Sequence, residues 1–261
     1  MAIVRIEGAD LDVDQTGAGP DLILLHSLLA DRSAFDRVKP ELSKSHRLWL
    51  VNLPGYGGSA PAGAKLEDYA DRLAGLFAAL KLSAGATVLG NGFGGFVALA
   101  LAIRHGTLFD RLIIADSLAA FPAPAKEPFR IMAEKVRENG MGGVLDAAVR
   151  RMFPEPFIAA HPEIVAERKA SLARADPECF ARACLALAEV DFRPALGKIK
   201  NRTLVMAGAL DQTTPASLAR ELAHEIPGAE FQEIPDCGHC PQIEKPAEFT
   251  VAVRGFLVAG S

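Results

Sequence analysis

The sequence predicts an α/β fold: a mostly parallel, twisted, eight-stranded sheet with helices on both faces and a helical lid inserted after the sixth strand. Three observations predict it. Short apolar or alternating runs recur along the chain, segments with helical spacing lie between them, and one long stretch, 117–196, holds no convincing strand. Strand followed by helix, repeated, builds a parallel sheet covered on both sides, whose strands read as near-continuous apolar runs.

Taken in order, residues 3–6 and 11–14 read as a hairpin pair ahead of the parallel set. DLILLH at 21–26 follows, then RLWLVNL at 47–53, residues 86–89, RLIIAD at 111–116, RTLVMA at 202–207 and residues 230–234. Each reads as a buried central strand by its length and its β-branched or large apolar side chains. Helical spacing covers 33–42, 66–80, 93–104, 215–225 and 246–258. Within 117–196, Ala/Glu/Arg-rich helical spacing is punctuated by Pro122, Pro124, Pro128, Pro154, Pro156, Pro162, Pro177 and Pro194. Each proline cluster is expected to end a helix or set a turn. The expected organisation is one α/β domain, with a core made of 1–116 and 197–261 and an insert of short helices, 117–196, lying over the C-terminal edge of the sheet.

Composition narrows the function classes. Half of the 261 residues are apolar and 23% are charged, enough to bury a large core. The longest nearly unbroken apolar run, 92–103, is 12 residues, short of the roughly 18 to 20 that span a bilayer. Residues 1–18 carry acidic side chains where a signal peptide needs a basic start and an apolar stretch, so a cytoplasmic location is expected. A net charge of −4 without a basic block argues against nucleic acid or an anionic membrane as partner. A small-molecule substrate is the expected partner.

In a parallel sheet the chemistry gathers in the loops at the C-terminal ends of the strands. The loop Leu25-His26-Ser27-Leu28-Leu29 can present backbone N–H groups to a developing negative charge, or be an ordinary strand-to-helix turn. The Gly/Pro-rich segment 52–59 carries no obvious catalytic group and reads as a shaping turn. Gly90-Asn91-Gly92-Phe93-Gly94-Gly95 runs from strand directly into helix with the layout of a G-x-S-x-G nucleophile elbow, but its central residue is Gly92. It fits neither the dinucleotide fingerprint nor a P-loop. Asp211 follows the strand at 202–207, and His239 lies further on in DCGHCPQIEKP, 236–246. A lone Asp before a helix is usually an N-cap and a lone His is usually structural. Here the order elbow, acid, histidine matches the chain order of a hydrolytic triad.

On these residues the chain resembles the α/β-hydrolase superfamily over essentially its whole length. The matching pieces are H-S-L-L at 26–29, N-L-P-G-Y-G-G-S at 52–59, G-N-G-F-G-G at 90–95, G-A-L-D at 208–211 and the histidine segment 236–246. Within it the chain is similar to the branch of 3-oxoadipate enol-lactonases and meta-cleavage-product C–C hydrolases, which act on small carboxylate-bearing molecules under a helical lid. The resemblance implies hydrolysis of a small ester, lactone or diketone. It makes His239 the general base, Asp211 its orienting acid, and the N–H groups of Leu28 and Phe93 the oxyanion hole. It implies no metal and no organic cofactor.

The departure is Gly92, at the nucleophile position, which has no side chain to attack with. Three readings stay open: a serine replaced to trap substrate, direct attack by water activated by His239, or a catalytically lost protein that keeps its pocket. Glycine also relieves the strain of an elbow conformation, about 1–3 kcal/mol for a residue with a β-carbon.

Other residues are weighed against blander roles. Cys237 and Cys240 form C-x-x-C around His239, but no second such pair accompanies them, so loop or packing roles are expected, as for Cys179 and Cys184. Asp116 is an alternative acid ranked behind Asp211. Ser27, Arg150 and Arg151 are expected at the substrate, the arginines because a guanidinium suits a carboxylate. His26 is expected to be structural.

Overall fold

The computed structural model describes residues 2–6 and 9–259. Eight strands run in chain order as β1 (Ala2–Ile6), β2 (Ala9–Thr16), β3 (Asp21–Leu25), β4 (Arg47–Val51), β5 (Thr87–Asn91), β6 (Arg111–Ala115), β7 (Arg202–Gly208) and β8 (Glu230–Ile234). They lie across one sheet in the order β1-β2-β4-β3-β5-β6-β7-β8. The pairings from β4 to β8 are parallel, whereas β1 with β2 and β2 with β4 are antiparallel. The expected hairpin pair is present and longer than its apolar cores; the link at residues 7 and 8 lies outside the described residues.

Side-chain alternation splits the strands between two cores. Ile23, Leu25, Val88, Leu112, Ile114 and Val205 face one, while Leu22, Leu24, Leu89, Ile113, Leu204 and Met206 face the other. With a period of two, strands buried on both faces must be apolar throughout, and β3 and β5 are buried at every residue. One expected central strand differs. β8 is the sheet edge, with Glu230, Gln232 and Glu233 exposed; its charged side chains keep that edge in water.

The helices are α1 (Lys39–Leu42), α2 (Leu66–Leu80), α3 (Phe93–His105), α4 (Ala123–Asn139), α5 (Leu145–Met152), α6 (Glu155–Ala160), α7 (Pro162–Leu172), α8 (Pro177–Glu189), α9 (Ala216–Glu225), α10 (Pro241–Glu244) and α11 (Pro246–Val258). α2 buries Leu66, Tyr69, Ala70, Leu73, Leu76 and Phe77, one stripe at three- and four-residue spacing. α3 is buried at every residue from Phe93 to Ala102, so the longest apolar run of the chain is the central core helix. No described helix is long and apolar enough to cross a membrane. The helical segment expected at 33–42 is instead a 3₁₀ turn, Arg32–Phe35, followed by α1. Pro40, without an N–H to donate, is best accommodated in the first turn of a helix and here starts a new one.

Prolines correct the reading of the insert too. Pro124, Pro156, Pro162 and Pro177 occupy the first or second positions of α4, α6, α7 and α8, and Pro122 and Pro154 are N-cap residues. They begin helices, because the first-turn N–H groups have no intrahelical acceptor to lose, and Pro154 and Pro162 also follow the C-caps of α5 and α6, as a helix-ending proline does. Pro128 lies inside α4. Between β6 and β7, α4 packs on α8, and the two ends of the insert are joined by a bridge between Ala120 and Asp191 and by Phe192 N–H to Ala119 O at 2.9 Å. Arg168 of α7 donates to Ser33 Oγ at 3.0 Å, and Ser171 and Arg174 bond Asp31, which ties α7 to the loop after β3.

Candidate active site

Loops leaving β5, β7 and β8 bring Gly92, Asp211 and His239 together. Gly92 is the N-cap of α3 with φ 53° and ψ −120°, a conformation open to glycine and strained for any residue with a β-carbon. Its N–H donates to Ala115 O at 2.9 Å, and its carbonyl accepts from Gly95 N, Phe96 N and Ser117 Oγ. Gly94 N–H donates to His26 O at 3.0 Å, and a β-carbon at Gly94 would run into the Leu25 carbonyl. The helix can therefore start this close to the end of β3 only with glycine there.

Asp211 Oδ2 accepts from His239 Nδ1 at 2.8 Å. Its Oδ1 accepts from Thr213 N at 2.7 Å and Thr214 N at 3.1 Å, and Thr214 Oγ1 donates to Oδ2. Burial pushes the Asp211 carboxyl up, but the His239 charge and the hydrogen bonds from His239 and Thr214 outweigh it, leaving the pKa lowered. The acid therefore stays ionised and fixes the proton on Nδ1. Nε2 faces Gly92, 2.8 Å from where a β-carbon on that residue would stand.

Asp116 takes a different place. It sits at φ 52°, fully buried, and accepts from Gly208 N at 2.8 Å and Asn91 Nδ2 at 3.3 Å. Burial, followed by the Asp211 charge, drives its carboxyl well above the usual range, and it lies behind Asp211. Among the described residues Asp116, Asp211 and His239 bring ligand-type atoms within 4.8 Å of one another; the Asp211–His239 hydrogen bond accounts for their approach.

The histidine loop is pinned on every side. Gly238 N and Cys240 N donate to the Glu244 carboxylate at 2.8 and 3.0 Å. His239 N donates to Met152 O at 3.1 Å, and His239 O accepts from Asn91 Nδ2 at 3.0 Å. Gln242 Nε2 in turn holds Asn91 Oδ1 at 2.9 Å. Cys237 and Cys240 are buried free thiols whose pKa values burial raises, and Cys179 and Cys184 on α8 are likewise buried and free.

The facing wall is the loop after β3. His26 Nδ1 meets Ser27 O at 2.8 Å and its Nε2 accepts from Leu53 N at 2.9 Å, so both ring nitrogens are used by the backbone and the proton is assigned to Nδ1. Burial lowers the His26 pKa to about 4. Tyr56 OH donates to Leu28 O at 2.9 Å. These bonds fix the peptide planes on either side of Leu28, whose own N–H has no backbone acceptor among the described residues.

Two adjoining cavities open here. One, of about 20 Å³, is lined by Ser27, Leu28, Gly92, Phe93, Arg151 and His239, with an apolar roof from Phe121, α4 and α8. The other, about 200 Å³, shares Arg151 and His239 and adds exposed Arg150. In the first, Arg151 is the only described lining residue with a permanent charge. Its guanidinium lies 5.1 Å from the Phe129 ring centroid and forms no salt bridge among the described residues. Burial lowers its pKa from the usual arginine value. Of the residues expected at the site, Gly92, Asp211, His239, Leu28, Phe93, Ser27 and Arg151 converge, and Arg150 lines only the outer cavity. Asn91, Tyr56, Thr214 and Glu244 were not foreseen. Glu244 and Asn91 lie inside segments that carry the resemblance, but nothing local tells that Tyr56 reaches Leu28.

Residues 22–253 match the alpha/beta hydrolase family. The chain is 29% identical over 240 residues to 3-oxoadipate enol-lactonase 2 of Acinetobacter baylyi, covering 91% of this chain and 88% of that one. Among solved structures it is similar to the enol-lactonase from Burkholderia xenovorans, with a TM-score of 0.92, 30% identity and coverage of 98% and 99% of the two chains. It is also similar to a malate-bound thermophilic esterase from Thermogutta terrifontis, with a TM-score of 0.90, 31% identity and coverage of 98% and 97%. The chain belongs to the alpha/beta hydrolase family, and its class is that of a hydrolase.

Proposed function

We propose that this alpha/beta hydrolase family member cleaves a small ester or lactone that carries a carboxylate, in the cavity over Gly92. The observation that carries the reading is the pairing of an Asp211–His239 couple with a single unpaired guanidinium, Arg151, in one cavity without a carboxylate of its own. His239 Nε2 takes the proton of the attacking hydroxyl, and Asp211 stabilises the imidazolium that forms. The N–H groups of Leu28 and Phe93 receive the carbonyl oxygen as it becomes an oxyanion. Arg151 anchors the substrate carboxylate, its planar fork suiting a bidentate pair. On this reading residues 117–196 act as the lid of a core made of 1–116 and 197–261, and the protein works in the cytoplasm without a cofactor. The relatives named above, two enol-lactonases and an esterase with malate bound, support the substrate class.

The test compares a neutral 4-nitrophenyl ester, the 4-nitrophenyl hemiester of a dicarboxylic acid, and a carboxylate-bearing enol-lactone. His239→Ala is expected to lower kcat about 10²–10⁴-fold on all of them. Arg151→Met is expected to raise KM about 10- to 100-fold for the anionic substrates and leave the neutral ester unchanged, the loss of a charged hydrogen bond. An unchanged rate in His239→Ala overturns the hydrolase reading. Equal effects of Arg151→Met on both ester types overturn the substrate class.

The missing side chain at Gly92 favours a second reading, a binding protein that has lost turnover. It predicts Arg151-dependent binding of a dicarboxylate by calorimetry with no hydrolysis of any of the three substrates.

A further inference from the structure

The hydroxyl absent from the elbow has a counterpart across the cavity. A β-carbon placed on Gly92 would stand 2.8 Å from His239 Nε2, and that same point lies 2.5 Å from Ser27 Oγ and 3.0 Å from Ser27 Cβ. The Ser27 hydroxymethyl group thus occupies the space into which an elbow side chain would project. We propose that Ser27, on the loop after β3, supplies the nucleophilic Oγ that Gly92 lacks; this rests on the hydrolase reading above.

Elimination among the cavity hydroxyls supports it. Thr214 Oγ1 is committed to Asp211, and Thr213 Oγ1 donates to Arg151 O at 3.0 Å. Ser27 Oγ has no hydrogen-bond partner among the described residues, yet the residue is 1% exposed and lines the cavity. The ring bonds described for His239 are made by Nδ1, so Nε2 is open to it. Ser27 Oγ and Nε2 are not hydrogen bonded in this structure, and rotation about the Ser27 χ1 bond changes their separation.

The oxyanion donors keep their places under this exchange. In an ordinary elbow one donor is the N–H of the residue after the nucleophile and the other comes from the loop after the facing strand. With Ser27 as nucleophile, Leu28 becomes the residue after it and Phe93 the donor from the other loop. The backbone around Ser27 is prepared for the role. Its carbonyl accepts from His26 Nδ1 and Ala30 N, and a trans peptide then aims the Leu28 N–H the opposite way.

The chemistry balances without an added reagent other than water. Ser27 Oγ–H gives its proton to His239 Nε2 as Oγ bonds the substrate carbonyl carbon. The bond from that carbon to the leaving oxygen breaks, and the leaving oxygen takes the proton from Nε2. Water then gives a proton to Nε2 and attacks the acyl carbon, the Oγ–C bond breaks, and Nε2 returns the proton to Ser27. The net reaction is ester plus water to acid plus alcohol.

The test reacts the full chain with a 4-nitrophenyl ester and, separately, with a sulfonyl fluoride, followed by acid quench, intact mass and peptide mapping. The expected result is one acyl or sulfonyl group on the peptide bearing Ser27, removed by Ser27→Ala together with about 10³-fold or more of kcat. Ser27→Cys is expected to move the adduct to a thiol that iodoacetamide blocks, which guards against a misfolded alanine variant. Hydrolysis that needs His239 but is unchanged in Ser27→Ala overturns this inference, assigns the attack to water and leaves the hydrolase reading standing. No turnover and no labelling of any serine overturns both.

Discussion

The two halves of the site are built to different degrees of constraint. On the His239 side, both carboxylate oxygens of Asp211 and both backbone groups of His239 are held by named partners, and Glu244 and Asn91 brace the loop behind them. On the nucleophile side, the elbow backbone is kept at φ 53° but carries no side chain, and the nearest hydroxyl, Ser27 Oγ, has no partner among the described residues. A hydrogen-bonded network orients one proton acceptor, while the atom that would give up the proton is left free to move.

Breaking the constrained half has the largest expected effect. Asp211→Asn keeps the shape but lets the histidine adopt the wrong tautomer, and kcat is expected to fall about 10⁴-fold with KM little changed. Steady-state hydrolysis beside a circular dichroism spectrum checks it. The next effect tests how far the facing loop depends on a neutral His26. Its pKa is about 4 in the folded chain against 6.5 for the free side chain, with Asp31 and Arg32 as charged neighbours. Between those values the unfolded chain binds the extra proton, so the stability from His26 is complete above pH 6.5 and lost as pH falls to about 4. The loss amounts to about 3 kcal/mol. Urea unfolding at several pH values, compared with His26→Gln, isolates that slope; equal slopes in both chains contradict it.

The smallest effect bears most directly on the open half. Gly92→Ser adds a β-carbon at positive φ that meets Ser27 Oγ and His239 Nε2, and about 2 kcal/mol of destabilisation is expected. Ser27→Gly in the same chain is expected to recover about half of it, so the four urea midpoints form a non-additive cycle. Additivity within about 0.5 kcal/mol would mean the two positions do not share one space.

Much of the architecture was legible in the chain, and the failures are specific. RLIIAD and RTLVMA read as strands because a strand buried on both faces has no room for polar residues. The same rule found the strand at 230–234 but put it in the interior, whereas its charges mark an edge. Proline announced helix boundaries in the insert but not which boundary, since the residue's local stiffness is the same before a helix and after one. The acids could be ranked by motif, but only contact shows that Asp211 bonds His239 while Asp116 lies buried behind it, bonded to Gly208 and Asn91.

By itself the sequence determined the alternation of strand and helix, the glycine at the elbow and the chain order of acid and histidine, because these depend on local spacing and side-chain type. The tertiary structure alone decided that Arg151 and not Arg150 lines the cavity over Gly92, that Tyr56 holds Leu28, and that Ser27 stands in the space a residue at 92 would fill. Such relations are set by how the sheet brings distant loops within a few ångströms, and no local pattern encodes them.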